Sequence, residues 1–96
     1  MSRPWIEWNE EKNFILKMAR GVCFEDVEEA VKNGRLLDDV PHPRQDRYLG
    51  QRILVVQITE YVCLVPYVID GERWFLKTIY PSRKARRFYL GDEDEK

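Results

Sequence analysis

A single histidine and two cysteines are the first limits on what this chain of 96 residues can do. One histidine excludes the common multi-histidine metal centres. Cys23 and Cys63 stand 40 residues apart, with no second cysteine beside either, so neither a zinc-binding spacing nor a dense disulfide framework is present. Both lie among apolar neighbours and read as buried thiols acting as small hydrophobes; a catalytic thiol would have only His42 as partner. No stretch approaches the roughly 20 apolar residues of a membrane span. The opening "MSRPWIEWNEEKN" also lacks the apolar run of a secretion signal. The expectation is a soluble, cytoplasmic protein with no cofactor and no membrane partner.

What is present is globular in character: 44% hydrophobic residues against 34% charged. The length suits one domain, near the lower size at which a core suffices without metal or disulfide. That domain is expected over residues 1–90, with 91–96, "GDEDEK", as a disordered acidic tail. The formal net charge of −1 conceals an asymmetry. Residues 1–42 carry six Lys or Arg against nine Asp or Glu, residues 43–90 carry nine against four, and residues 91–96 carry one against four. Such segregation favours a basic surface on the second half, although scattered salt bridging would give the same totals.

The apolar pattern divides the chain into short elements. "PWIEW" alternates like a strand. Asn9 is placed to cap a helix from Glu10 to Arg20, which Gly21 stops, and Phe14, Ile15 and Met18 are its apolar stripe. "FEDVEEAVKNG" repeats the arrangement, with Val27, Ala30 and Val31 on one side. "RLLDDV" reads as a short extended piece, and "PHPRQDRYLGQR" as an exposed loop. Apolar runs follow at 53–58, 61–69 and 72–80, the last two joined by the hairpin signal Asp70-Gly71. The expected fold is α+β: a compact antiparallel sheet of three to four strands, two N-terminal helices packed on one face, and a short basic C-terminal helix.

A two-residue turn at Asp70-Gly71 sets Ile69 opposite Glu72, Tyr67 opposite Trp74 and Val65 opposite Leu76. A second such turn at Thr59-Glu60 adds Leu54, Val56 and Ile58 to that apolar face, which should pack on the helices. The other face gathers Ile53, Val55, Gln57, Val62, Leu64, Pro66, Val68, Arg73, Phe75, Lys77 and Ile79, and an antiparallel sheet can leave it open. Pro66 signals a possible bulge, since it cannot donate to the ladder.

The terminal segment "IYPSRKARRFYL" packs Arg83, Lys84, Arg86 and Arg87 into five positions. With Ser82 as cap, Arg83 and Lys84 stand in the first turn, where the positive end of the helix dipole disfavours cations. Acids normally stand there, so the inversion points to an external anion. Ala85, Phe88 and Tyr89 supply the apolar stripe of this helix. A groove lined by Lys77, Arg73, Arg83 and Arg87, with Phe75, Tyr80 or Tyr89 for stacking, suits phosphates and unstacked bases. RNA adds chemistry that needs no metal. A ribose 2′-hydroxyl attacks the adjacent phosphate once the strand is held in line, protons are moved and charge is stabilised. Lys77, Arg83 and Lys84 are the candidate charge-stabilising residues, a lysine or tyrosine a proton shuttle, and His42 a base if its loop folds over the groove. Arg73, Phe75, Arg86, Arg87 and Tyr89 are the candidate RNA-binding set. Each has a plainer reading: His42 as an exposed loop residue between prolines, Lys77 as a sheet-surface lysine that discourages edge association, the charge run as a solvated face.

From Trp8 to Tyr89 the order of elements and several phrases resemble the BrnT-type toxins of bacterial toxin-antitoxin modules, distant relatives of the RelE ribonucleases. The carriers are "EWNEEKN", "GVCFEDVEEA", a last strand entering "SRKA", and a basic terminal helix ending near a tyrosine. Trp8, Asn9, Glu10, Lys12 and Asn13 match the family's aromatic opening, and Arg83 with Ala85 matches its Ser-Ala-Arg-x-Ala segment. The family's Lys-His-Gly turn is Ala19-Arg20-Gly21 here, and its Ser before Phe is Cys23. The resemblance implies a helix-on-sheet fold, RNA cleavage that arrests translation, and neutralisation by a small antitoxin, often with a ribbon-helix-helix DNA-binding part. The alternative is a non-catalytic module that binds nucleic acid or an acidic protein through the same basic surface.

Overall fold

Local chemistry fixes the two N-terminal helices. In the computed structural model, which describes residues 5–91, the Asn9 side chain accepts the Lys12 N–H at 2.9 Å and opens α1 (Glu10–Arg20). Gly21, at φ 74°, closes it in the left-handed conformation that glycine adopts without penalty. The next helix, α2 (Phe24–Lys32), starts at Cys23, whose backbone N–H is held by the Asp26 carboxylate at 3.1 Å. Around them run β1 (Trp5–Trp8), β2 (Leu36–Pro41), β3 (Arg52–Ile58), β4 (Tyr61–Asp70), β5 (Arg73–Leu76) and β6 (Tyr80–Pro81), and α3 (Arg83–Leu90) ends the described chain. The acidic tail expected over 91–96 falls, beyond Gly91, outside the described residues.

The fold is α+β, but the sheet is larger than the three to four strands expected and is mixed. Its order is β1-β5-β4-β3-β2, with β6 pairing β4 and β1 running parallel to β5. The turn at Thr59-Glu60 is two residues long, with Ile58 paired to Tyr61, so Leu54, Val56 and Ile58 share a face with Cys63, Val65 and Tyr67 as expected. The second hairpin differs. Asp70 pairs with Arg73, so the loop is Gly71-Glu72. Gly71 has φ 65° at the first loop position, where a type II′ turn wants glycine. The register therefore slips by two residues, to Tyr67 opposite Leu76, and an even slip leaves the side chains paired between β4 and β5 on their expected faces. Pro66 sits in regular pairing with Ile53, without a bulge.

The core on the first face joins Leu16, Phe24, Val27 and Ala30 of the helices to Leu54, Val56, Val65, Tyr67 and Leu76 of the sheet. Two expectations fail there. Ile79, assigned to the open face, is buried in this core. Pairing moves from Tyr67 with Leu76 to Cys63 with Pro81, one extra residue on the returning strand, and such a bulge inverts the alternation. Phe14, Ile15 and Met18 do not face the core; they are 65%, 55% and 70% exposed. The roll of α1 is set by a polar residue instead. Buried Asn13 accepts the Phe24 N–H at 2.7 Å and donates to Glu25 at 2.8 Å, which turns Leu16 inward and the apolar stripe outward.

The sheet's other face is not left open throughout. Val55, Val62 and Ala85 form a second cluster there, flanked by Leu37, Leu64, Tyr89 and Leu90, so α3 packs opposite α1 and α2. No helix among the described residues is long and apolar enough to cross a membrane.

Candidate nucleic-acid interface

Three polar ties fix α3 on the sheet. Ser82 donates its N–H to Val62 O at 2.8 Å while its hydroxyl accepts the Ala85 N–H at 3.0 Å, so the cap residue is itself hydrogen-bonded to β4. Arg86 Nε donates to Glu60 O, 2.9 Å away in the β3–β4 turn. At the far end the Tyr89 hydroxyl donates to Asp38 Oδ2 at 2.7 Å. A β-bulge makes that last tie possible. The β2 register shifts between Leu36 and Asp38, so Leu37 packs with the α3 cluster and Asp38 meets Tyr89 on the same side.

Mounted this way, α3 has no acid in its first turn and carries its cations around its outer surface. Arg83 and Lys84 are exposed, and among the described residues neither has a carboxylate or hydrogen-bond partner. Beside the helix lies an open groove of about 500 Å³. Leu64, Ala85, Phe88 and Tyr89 give it apolar walls, and Lys84 and Arg87 give it positive charge. Phe88, assigned to the buried stripe from sequence, is 78% exposed and meets Tyr89 edge to face at 4.8 Å between centroids. Its ring is available for stacking.

The other candidates separate into three places. Lys77 and Phe75 make a pair, with Nζ 5.5 Å from the ring centroid, on the face that α3 occupies. Lys77 bonds through its N–H to Pro66, four residues along β4 from the Val62 that holds Ser82, a backbone separation of about 13 Å. Lys77 thus extends the positive surface without lining the groove. Arg73 pairs with Asp70 at the distant end of β4, and its guanidinium lies 3.8 Å from Glu7. His42 continues the β2–β3 ladder by donating its N–H to Gln51 O at 3.0 Å, three strand spacings or about 14 Å from the β5 row. Its Nδ1 accepts the Arg44 N–H at 3.0 Å and its ring packs on Tyr48, centroids 4.4 Å apart, so the imidazole is engaged by its own loop and does not fold over α3.

Charges at the site follow from these contacts. The Tyr89 hydrogen bond, then the Asp39 N–H, hold the Asp38 carboxyl below its ordinary range. In return, the Asp38 carboxylate pushes the Tyr89 phenol up. Tyr89 therefore stays a neutral donor committed to Asp38, a positioning residue rather than a proton acceptor. The site offers fixed positive charge, stacking surface and a pinned helix. Among the described residues, no group of three His, Cys, Asp or Glu is placed to hold a metal ion.

Sequence reasoning missed the exposure of Phe88 and the parts played by Leu64 and Asp38. Leu64 was assigned to the correct face, but nothing local shows that α3 crosses it. Comparison of the chain with family models, curated proteins and solved structures found no match.

Proposed function

We propose that this chain binds RNA across α3 and the adjoining sheet face, and acts as a metal-independent endoribonuclease, the toxin of a toxin-antitoxin module that inhibits translation. The observation that carries the RNA reading is the first turn of α3. Arg83 and Lys84 stand at the positive end of a helix dipole with no acid in that turn, beside a groove walled by Phe88 and Tyr89. A phosphate removes that unfavourable charge, and a base stacks on the exposed ring. Lys77 adds a cation on the same face, cradled by Phe75. For cleavage, Arg83 and Lys84 supply charge stabilisation for the pentacoordinate phosphate, while Lys77, about 13 Å along the sheet, holds a neighbouring phosphate of the strand that the groove orients. The toxin assignment rests on the BrnT-type resemblance, and a small antitoxin with an acidic segment is the partner complementary to this surface.

A second reading, binding without cleavage, is favoured by His42, whose imidazole is engaged by its own loop through the Arg44 N–H and the Tyr48 ring. A cleavage assay on single-stranded RNA in EDTA separates the two. Cleavage by the wild type that is lost in Arg83→Ala or Lys77→Ala, with folding intact, supports the enzyme. Binding with no cleavage supports the module, and neither binding nor cleavage removes the RNA reading. Growth arrest on expression in bacteria, relieved by co-expression of a neighbouring gene, tests the toxin assignment.

A further inference from the structure

Among the described residues nothing packs on the outward face of α1. Of its eleven residues only Asn13 and Leu16 are buried, while Phe14, Ile15 and Met18 lie exposed over an arc of about 100° on the opposite side, with the exposed first-turn acid Glu11 at the end of the same face. An isolated helix of this length is marginal in water, and helices in proteins take most of their stability from burying an apolar face. Here the larger apolar face is turned to solvent.

The charges beside that face indicate what covers it. Glu10 and Lys17, seven residues apart, lie one above the other on one flank of the stripe, with the acid in the first turn and the base in the last. Between them, with Phe14, Asn13, Cys23 and Glu25, is an open groove of about 370 Å³ that holds two carboxylates and one ammonium. When a helix meets a copy of itself face to face about a two-fold axis, like flanks meet and directions oppose. Glu10 of one copy then faces Lys17 of the other, twice, and the two helix dipoles run antiparallel. We infer that the chain forms a two-fold homodimer in which the α1 helices pack antiparallel through Phe14, Ile15 and Met18, with reciprocal Glu10–Lys17 pairs at the rim.

The patch is small. Three side chains and their flanks bury on the order of 1,000 Å² over both copies, below the standard interface size, so the dimer belongs to the weak, transient class. The α3 surface lies on the other side of the sheet and stays accessible in this dimer, so the inference stands apart from the RNA reading.

Sedimentation equilibrium on the full chain, from about 10 μM to 1 mM, tests it. The wild type is expected to show a reversible monomer–dimer equilibrium, and Met18→Glu a monomer throughout. Lys17→Glu should weaken association at least tenfold. Glu10→Lys with Lys17→Glu should restore it to within about threefold, because exchanging both charges preserves the pairing only in an antiparallel self-complex. Circular dichroism that keeps the wild-type helix content in each variant excludes misfolding; the double exchange, which reverses the dipole complement of α1 and removes the Glu10 acceptor of the Trp8 indole, is expected to lower the thermal midpoint by a few degrees without unfolding the chain. A wild type that remains monomeric to 1 mM overturns the inference and leaves the face to an unlike partner. A dimer indifferent to Met18→Glu, or a double exchange that fails to restore association, overturns it as well.

Discussion

Removing the two cations at the start of α3 should weaken RNA binding while leaving the fold as stable as before or slightly more stable. If Arg83, Lys84, Arg87 and Lys77 each neutralise one phosphate, about four counterions are released, and log K for single-stranded RNA falls against log salt with a slope of about −2.8. Replacing Arg83 and Lys84 by alanine leaves about two contacts and a slope near −1.4. Between 50 and 200 mM salt the wild type should then lose affinity roughly 50-fold and the double variant roughly 7-fold, measurable by fluorescence anisotropy with a labelled oligoribonucleotide.

The stability arm runs the opposite way. Both side chains are exposed, neither has a partner among the described residues, and both stand where the helix dipole disfavours them. Their removal should raise stability by on the order of 0.5 to 1 kcal/mol in a denaturant titration. Loss of binding with gained stability is the signature of residues kept for a ligand. Equal salt slopes for the two proteins, or a double variant more than about 1 kcal/mol less stable, would refute the reasoning and return these cations to a role in the fold.

Other parts of the structure give independent tests. Buried Tyr67 donates to Asp39 at 2.8 Å, and burial followed by that carboxylate pushes its phenol up. Its contribution is therefore full below the unfolded tyrosine value and is lost as pH rises beyond it; Tyr67→Phe should cost about 1 kcal/mol at neutral pH and flatten the decline above pH ~10, followed by urea midpoints. Asn13→Ala leaves the Phe24 N–H without its acceptor and should cost roughly 2 kcal/mol. Because the Asn13 hydrogen bond is the main cause holding the Glu25 carboxyl down, its stabilising contribution, present above the ordinary carboxylate value and lost as pH falls, should shrink in the same variant. Thr59, a β-branched residue at φ 54°, should gain about 1 kcal/mol in thermal stability on change to glycine, and a loss would show that its hydroxyl bond to Ile58 O matters more. Burial pushes the Cys63 thiol up to about 11, so a thiol reagent at pH 8 should modify it only on unfolding.

Which features were legible follows from how far their causes reach along the chain. The limits of α1 are written in adjacent residues, Asn9 and Gly21, because capping is settled within one turn. The faces of β3 and β4 followed from one two-residue turn. At Gly71 the turn type was misjudged, yet the faces survived because the slip was even. Ile79 was lost to a one-residue bulge, which a period-two pattern cannot reveal. The parallel partner of β1 lies near the other end of the chain, a pairing that no local signal encodes. For α1, the apolar stripe was correct and its direction was reversed, because Asn13 satisfies the first N–H of α2 and thereby sets the roll. One buried polar group decided what three apolar residues could not.

The candidate site divides in the same way. That α3 is a cation-rich helix opened by Ser82 is local information, and the sequence shows it plainly. Which neighbours those cations acquire depends on where α3 crosses the sheet, and that is set by residues with no charge pattern of their own. The bulge at Leu37 presents Asp38 to Tyr89, Glu60 offers a carbonyl to Arg86, and Val62 receives Ser82. These ties place Lys84, Arg87 and Phe88 around one groove, leave Arg83 and Lys77 beside it without lining it, and leave Arg73 and His42 away from it. A helix held at both ends cannot roll to carry Lys84 and Arg87 away from the groove, and Arg83 and Lys84 stay in its first turn at the positive end of its dipole. The unfavourable charge is thereby kept in a fixed position, which is the condition for an anion to be bound there without further ordering of the protein.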